Sequence, residues 1–387
     1  MKKILILFFT WRILLFIPLY VGYQLIPYRP GYHYTSTAFF VNRSSLNPVT
    51  HFLLSPWANF DGIYYLLIGS RGYTVEAGFF PLLPLMLHPI KLIFGSVTLF
   101  ELAPYLTSIA FVSLFSLMGM LFLYRLIRLD YDTTTAFRSL LFLLVFPTAF
   151  FFATVYAEGL FLLLSVASLY FARRRQWLFA SLAALLLTAT RPVGLAIIPA
   201  LLYELYVGEF HKKHTWRNLL KASPLLLSPL GFVGYIIFNN ITWGNPLYFI
   251  YAQGQFQNNR SVEHLVLIPQ TIFRYVKIFI TVPMAQFEWW VALLEFSAFF
   301  FAVALLYVAW RKKVRMSYLL LSLFAFLLPT STGTFTALPR YIVVLFPLFL
   351  ALALVLRTRT AQVTYIVVSV FLLGLLFALF SRGFFVA

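Results

Sequence analysis

Eleven Asp and Glu side chains in 387 residues are few enough that each group able to take a proton from a substrate can be weighed alone. Asp61 stands out. The run Trp57-Ala58-Asn59-Phe60-Asp61-Gly62-Ile63-Tyr64-Tyr65 sets one carboxylate among aromatic rings, after a polar segment and before an apolar stretch. Such a carboxylate can serve as a general base, Gly62 permits close approach by a ligand, and the rings can stack on a sugar or meet a lipid headgroup. The same residues equally suit an Asp that caps an interfacial helix. Glu158, after Val155-Tyr156-Ala157, heads an apolar run, where a carboxylate is costly and marks either a functional site or a helix start. Arg191 in Thr190-Arg191-Pro192 and Arg340 in Pro339-Arg340-Tyr341 are isolated cations. Each can pair with Glu158 or grip a phosphate bidentately.

Other chemistries find less support. His33, His51, His88 and His264 form no HExxH or similar ligand spacing, so no metal site is expected. Cys is absent, which excludes disulfides and thiolate nucleophiles. With no GxxxxGK[ST] or GxGxxG loop, a nucleotide-driven pump is disfavoured, and energy must come from an activated substrate or a gradient. No nucleotide or other cofactor is expected.

The elements that must position these residues are set by composition: 62% of residues are hydrophobic and 10% charged, against roughly 25% charged in a soluble chain. An all-α, polytopic transmembrane protein is predicted, a single integral membrane domain over 1–387. Its spans are expected near 4–27, 101–124, 137–155, 158–172, 177–190, 193–208, 222–240, 288–310, 316–330, 340–356 and 362–381, about 11 in all. The first, after Met1-Lys2-Lys3, runs to about Pro27 without a cleavage site and reads as an uncleaved signal anchor. The net charge of +18 lies in clusters one hydrophobic hairpin apart and not along one face, so nucleic acid is not expected as a partner. With a cytoplasmic N-terminus, the clusters Arg125/Arg128/Arg138, Arg173–Arg175, Lys212/Lys213/Arg217/Lys221, Arg311–Arg315 and Arg357/Arg359 all fall inside. Residues 28–100 and 241–287 are then long external segments, with apolar stretches suited to interfacial helices. Asp61, Glu76, Glu101, Glu158, Glu263, Glu288 and Glu295 lie outside or in the outer half. The spans between 137 and 208 are short, so their outer turns are expected below the membrane surface.

Several motifs occur together in order: Phe60-Asp61-Gly62, Arg71-Gly72-Tyr73, Phe79-Phe80-Pro81-Leu82-Leu83-Pro84, Phe146-Pro147-Thr148-Ala149-Phe150-Phe151, Val155-Tyr156-Ala157-Glu158, Thr188-Ala189-Thr190-Arg191-Pro192-Val193-Gly194, Trp243-Gly244-Asn245-Pro246-Leu247 and Pro339-Arg340-Tyr341. In this order, over about residues 57–347, the chain resembles the PIG-V type mannosyltransferases of the GT-C superfamily. Relatives commonly carry Trp before the first-loop Asp, where this chain has Phe60, with Trp57 nearby.

The resemblance implies an inverting transfer of a sugar, mannose by the family's name, from a polyprenyl or dolichyl phosphate to an acceptor hydroxyl on a glycan or glycolipid. It implies Asp61 as the base, Arg191 and Arg340 as cations meeting the lipid phosphate, and Glu158 orienting an arginine or binding sugar hydroxyls. Tyr73, Tyr156 and Tyr341, within its motifs, are expected in substrate binding. The site would face the non-cytoplasmic side, of a prokaryotic cell membrane or the endoplasmic reticulum. The competing expectations are a lipid-linked saccharide flippase, which would place polar residues through its spans to the midplane, and a non-catalytic member of a complex with an accessory membrane subunit.

Overall fold

The computed structural model describes residues 1–29, 39, 53–210, 220–254, 261 and 265–386, and every regular element among them is helical. In chain order the α-helices begin with α1 (Lys2–Leu14), α2 (Phe16–Leu25), α3 (Asp61–Arg71), α4 (Leu82–Ile93), α5 (Leu102–Ile127) and α6 (Thr133–Leu144). Next come α7 (Glu158–Arg173), α8 (Trp177–Thr188), α9 (Ile197–Leu205), α10 (Leu230–Trp243), α11 (Tyr248–Gly254) and α12 (Ile268–Thr281). The series closes with α13 (Phe287–Arg311), α14 (Met316–Thr330), α15 (Leu338–Ile342), α16 (Phe346–Val355) and α17 (Arg359–Ser381).

Six helical stretches among the described residues are long and apolar enough to cross a membrane: Lys2–Leu25, Leu102–Ile127, Pro192–Glu209, Leu220–Trp243, Phe287–Arg311 and Arg359–Ser381. The chain is a polytopic integral membrane protein. Between these stretches lie shorter apolar helices, including α4, α6, α8, α14 and α16. A helix of twelve residues, such as α6 or α8, is about 18 Å long, short of the roughly 30 Å hydrocarbon core.

Prolines set the breaks. The first stretch divides at Leu15 because Pro18 has no N–H to give the Leu14 carbonyl. Residues 137–155 do not form one helix. The helix there ends at Leu144 ahead of Phe146-Pro147, and a buried 3₁₀ turn, Ala149–Phe152, follows. Residues 340–356 are likewise split into α15 and α16, with Pro347 in the first turn of the second. A residue before proline is pushed away from the helical region, and Pro is best accommodated in a helix's first turn.

Helix α7 is the centre of the bundle. It is apolar on every side, is buried from Glu158 through Leu169, and packs on α5 and α8, as an all-round apolar helix must. Its two ends carry different charge clusters. At the C-terminal end Arg173 bonds Asp130 at 2.6 Å and the Tyr318 hydroxyl at 2.7 Å. Its Nε lies 3.9 Å from Glu204, which accepts from Arg315 at 2.5 Å and 2.7 Å and from Ser317 at 2.5 Å. That network clamps the ends of α5, α7, α9 and α14 at one level. Glu158, fifteen residues back along α7, is about 22 Å away, in the second cluster.

Candidate active site

Asp61 occupies the first helical position of α3. The residue before it, Phe60, has φ 57° and ψ −119°, a conformation that bulky side chains rarely adopt. Tertiary contacts enforce it: the Phe60 ring packs on Phe380 and Phe385, and Asn59 Nδ2 donates to the Phe380 carbonyl at 3.2 Å. The Tyr156 hydroxyl accepts from the Asp61 N–H at 3.2 Å and donates to the Asn59 carbonyl at 2.8 Å. The close approach that Gly62 permits is made by the protein itself. A Cβ there would lie 3.2 Å from the Val155 carbonyl oxygen and from the Ala58 Cβ.

With its backbone fixed, the Asp61 carboxylate turns to Arg340, whose Nη1 donates to Oδ2 at 2.5 Å. Arg340 Nε stands 3.3 Å from Glu158 Oε1, and Arg191 Nη2 donates to that same Glu158 oxygen. The four residues form one chain of alternating charge, Asp61, Arg340, Glu158, Arg191, and the two carboxylates formally balance the two guanidiniums. Neither Asp61 nor Glu158 caps its helix with its side chain, and the helix starts at Phe60 and Ala157 carry no side-chain cap.

Burial is graded along the chain of charges. The Asp61 side chain is 29% exposed, while those of Arg191, Arg340 and Glu158 are 10%, 7% and 0% exposed. Glu158 Oε2 and Arg191 Nη1 are buried without a hydrogen-bond partner, and Arg340 Nε has its ion pair with Glu158 but no hydrogen bond. Buried polar atoms are ordinarily satisfied, so unsatisfied ones gathered in a single cluster suit a polar ligand. The Tyr341 ring lies 5.7 Å from the Arg191 guanidinium and 5.6 Å from that of Arg340, within cation–π range.

Each member is held by a separate element. Arg340 sits in α15, which follows Ala337 in a left-handed conformation at φ 65°. Thr148 Oγ1 donates to the Pro339 carbonyl at 2.7 Å, so the Phe146-Pro147-Thr148 motif braces the arginine's turn. Arg191 is extended before Pro192, and the Leu82 N–H donates to the carbonyl of Ala189, two residues before Arg191, at 3.1 Å. The tyrosines divide. Tyr341 faces both arginines. Tyr156 is 1% exposed, with its hydroxyl committed to the Asp61 turn and its ring 5.3 Å from Arg340. Tyr73 stands apart: its hydroxyl donates to the Phe79 carbonyl at 2.7 Å, and its ring joins Tyr235, Phe238 and Trp243 on α10.

The comparison with protein families places a model for mannosyltransferase (PIG-V) over residues 2–242, more than half of the chain. This chain belongs to the PIG-V mannosyltransferase family. It is a membrane glycosyltransferase. The PIG-V match contains Asp61, Tyr73, Tyr156, Glu158 and Arg191 and ends before Arg340 and Tyr341. No curated protein and no solved structure matched the chain.

The other carboxylates expected from the sequence to lie outside have local duties in this PIG-V member. Glu76 accepts from Arg71 at 2.7 Å and from the Thr74 hydroxyl at 2.7 Å, Glu101 accepts from the Val97 N–H at 2.9 Å, and Glu288 lies 3.7 Å from Arg29. Sequence reasoning assigned no role to Glu295, which is 5% exposed within α13. Its carboxylate accepts from the Tyr275 hydroxyl at 2.5 Å and from the Ala337 N–H at 3.3 Å. The available signal was one acid eight residues inside a 25-residue apolar helix. Among the histidines, His88 is bonded to the Gly69 carbonyl at 2.7 Å. His33, His51, His264 and Glu263 lie outside the described residues.

Proposed function

We propose that the chain transfers a sugar, mannose by its family, from a polyprenyl or dolichyl phosphate to an acceptor hydroxyl, with inversion at the anomeric carbon. Asp61 is the general base, and Arg340 and Arg191 meet the lipid phosphate. The observation that carries this reading is the placement of Arg340, which joins the partly exposed carboxylate of Asp61 to the buried one of Glu158.

The charge balance explains why such a bridge suits the reaction. The acceptor oxygen forms its bond to the anomeric carbon while its proton passes to Asp61. The bond from that carbon to the phosphate oxygen breaks, and its electron pair leaves with the phosphate. Negative charge thus disappears at Asp61 and appears on the phosphate, so Arg340 loses one anionic partner as another develops. A cation aimed where charge grows stabilises the transition state more than the ground state. Glu158 keeps both guanidiniums oriented. In this reading the site lies toward the non-cytoplasmic end of a polytopic GT-C arrangement, its donor entering from the bilayer and its acceptor a glycan or glycolipid, with no cofactor.

The test is sugar transfer by the purified chain from polyprenyl-phosphate mannose. Asp61→Asn keeps the shape and removes the base, and turnover is expected to fall about 10²–10⁴-fold at unchanged expression. Turnover near that of the unsubstituted enzyme would remove Asp61 from the base role.

A further inference from the structure

Arg340 depends on a short helix that begins from an unfavourable backbone. Ala337 is left-handed, and only five residues follow in α15, too few for local hydrogen bonds to define its orientation. Something else must aim it. The Ala337 N–H donates to Glu295 Oε1 at 3.3 Å, and Glu295 Oε2 accepts from the Tyr275 hydroxyl at 2.5 Å. That hydroxyl also accepts from the Phe335 N–H at 3.0 Å and lies 3.3 Å from Thr334 Oγ1. Tyr275 and Glu295 are 3% and 5% exposed, and the Phe335 ring stacks on Phe299 at 4.5 Å. Two side chains from α12 and α13 therefore hold the backbone at 335 and 337, immediately before the helix that presents Arg340.

We propose that Tyr275 and Glu295 are positioning residues, which set the direction of the Arg340 guanidinium toward the donor phosphate. The proposal rests on the reading of Arg340 given above. Neither residue lies in the charge cluster, so they act through the backbone of residues 335–337. A hydrogen bond to a charged group contributes about 1.5–3 kcal/mol, and each 1.4 kcal/mol is a tenfold change in affinity. Losing the Tyr275 hydroxyl should therefore cost roughly tenfold or more in phosphate binding if the alignment is lost.

The test measures binding of farnesyl phosphate, a short polyprenyl phosphate, to the purified full chain in detergent, reading the dissociation constant and the bound stoichiometry separately. Partial unfolding lowers the stoichiometry and leaves the constant unchanged, whereas misaligned Arg340 raises the constant. Tyr275→Phe and Glu295→Gln are each expected to weaken binding about tenfold at full stoichiometry, as Arg340→Ala does to a larger extent. Adding Tyr275→Phe to Arg340→Ala should then change little, since residues acting through one another are not additive. If Arg340→Ala weakens binding but Tyr275→Phe and Glu295→Gln do not, or if their effects add, positioning is refuted and the reading of Arg340 stands. Unchanged binding by Arg340→Ala would sink both. Were Tyr275→Phe to misfold, Glu295→Gln, nearly equal in shape, carries the same comparison.

Discussion

Glu158 takes two arginines on one oxygen while its other oxygen is buried and unbonded, so its charge is what makes a pair of buried guanidiniums tolerable. Removing one member of a buried ion pair leaves an uncompensated charge and costs about 3–5 kcal/mol. Glu158→Gln is therefore expected to lower thermal stability in detergent by that order, well before any kinetic argument applies. A melting curve matching the unsubstituted enzyme would show that the arginines do not need its charge. Glu76 gives a pH test away from the reaction. Burial acts to raise its carboxyl pKa, but bonds from the Thr74 hydroxyl, the Thr74 N–H and Arg71 outweigh it and hold the value below the ordinary range. A depressed folded value means that the unfolded chain binds the proton first, so the stabilisation is complete above about pH 4.3 and is lost on acidification below it. Glu76→Gln should flatten that part of a stability profile measured from pH 6 to 3, and an unchanged slope would contradict it. Asp61, Glu158, Arg191 and Arg340 were all legible in the sequence as isolated charges in an apolar chain. Their mutual contacts were not, since Asp61 and Arg340 are 279 positions apart. The role of Glu295 is hidden in the sequence for the same reason, its backbone partner being 42 positions away.

At the scale of the element, the helices expected at 158–172, 177–190 and 316–330 agree with Glu158–Arg173, Trp177–Thr188 and Met316–Thr330 to within a few residues, because turns with polar or basic residues bound them. The runs at 137–155 and 340–356 read as continuous helices because hydrophobicity does not change across Phe146-Pro147 or Phe346-Pro347. Proline's geometry, and not polarity, makes those breaks. They are where the site is built: the first frees residues 145–157 to carry Thr148 and Tyr156, and the second isolates α15 with Arg340. The seat of α3 is as specific. Gly62→Ala would drive a methyl toward the Val155 carbonyl and Ala58, and overpacking of this kind costs about 1–3 kcal/mol. Since Asp61 is the neighbouring residue, transfer activity should fall with stability. Full activity together with full stability would show that the contact yields freely.

For the whole molecule, the decisive relation is that the two charge clusters sit at opposite ends of α7, the Arg173 network at one and the Glu158 site at the other. Helix α13 repeats the arrangement. Glu295, which reaches the Arg340 turn, lies eight residues from Phe287 and sixteen from Arg311, or about 12 Å and 24 Å along the axis. If the arginine-rich connectors follow the positive-inside bias, the site opens on the other face and somewhat below its surface. The absence of cysteine makes this directly measurable, because a single introduced thiol needs no background substitutions. Met284, 64% exposed just before α13, and Lys312, exposed just after it, bracket one long helix. In right-side-out vesicles a membrane-impermeant maleimide should label Met284→Cys without permeabilisation and Lys312→Cys only after it. The reverse pattern would turn the molecule over and put Asp61 in the cytosol. Labelling of both from one side would mean that Phe287–Arg311 does not cross, and the separation of site from connectors would then have to rest on α7 alone.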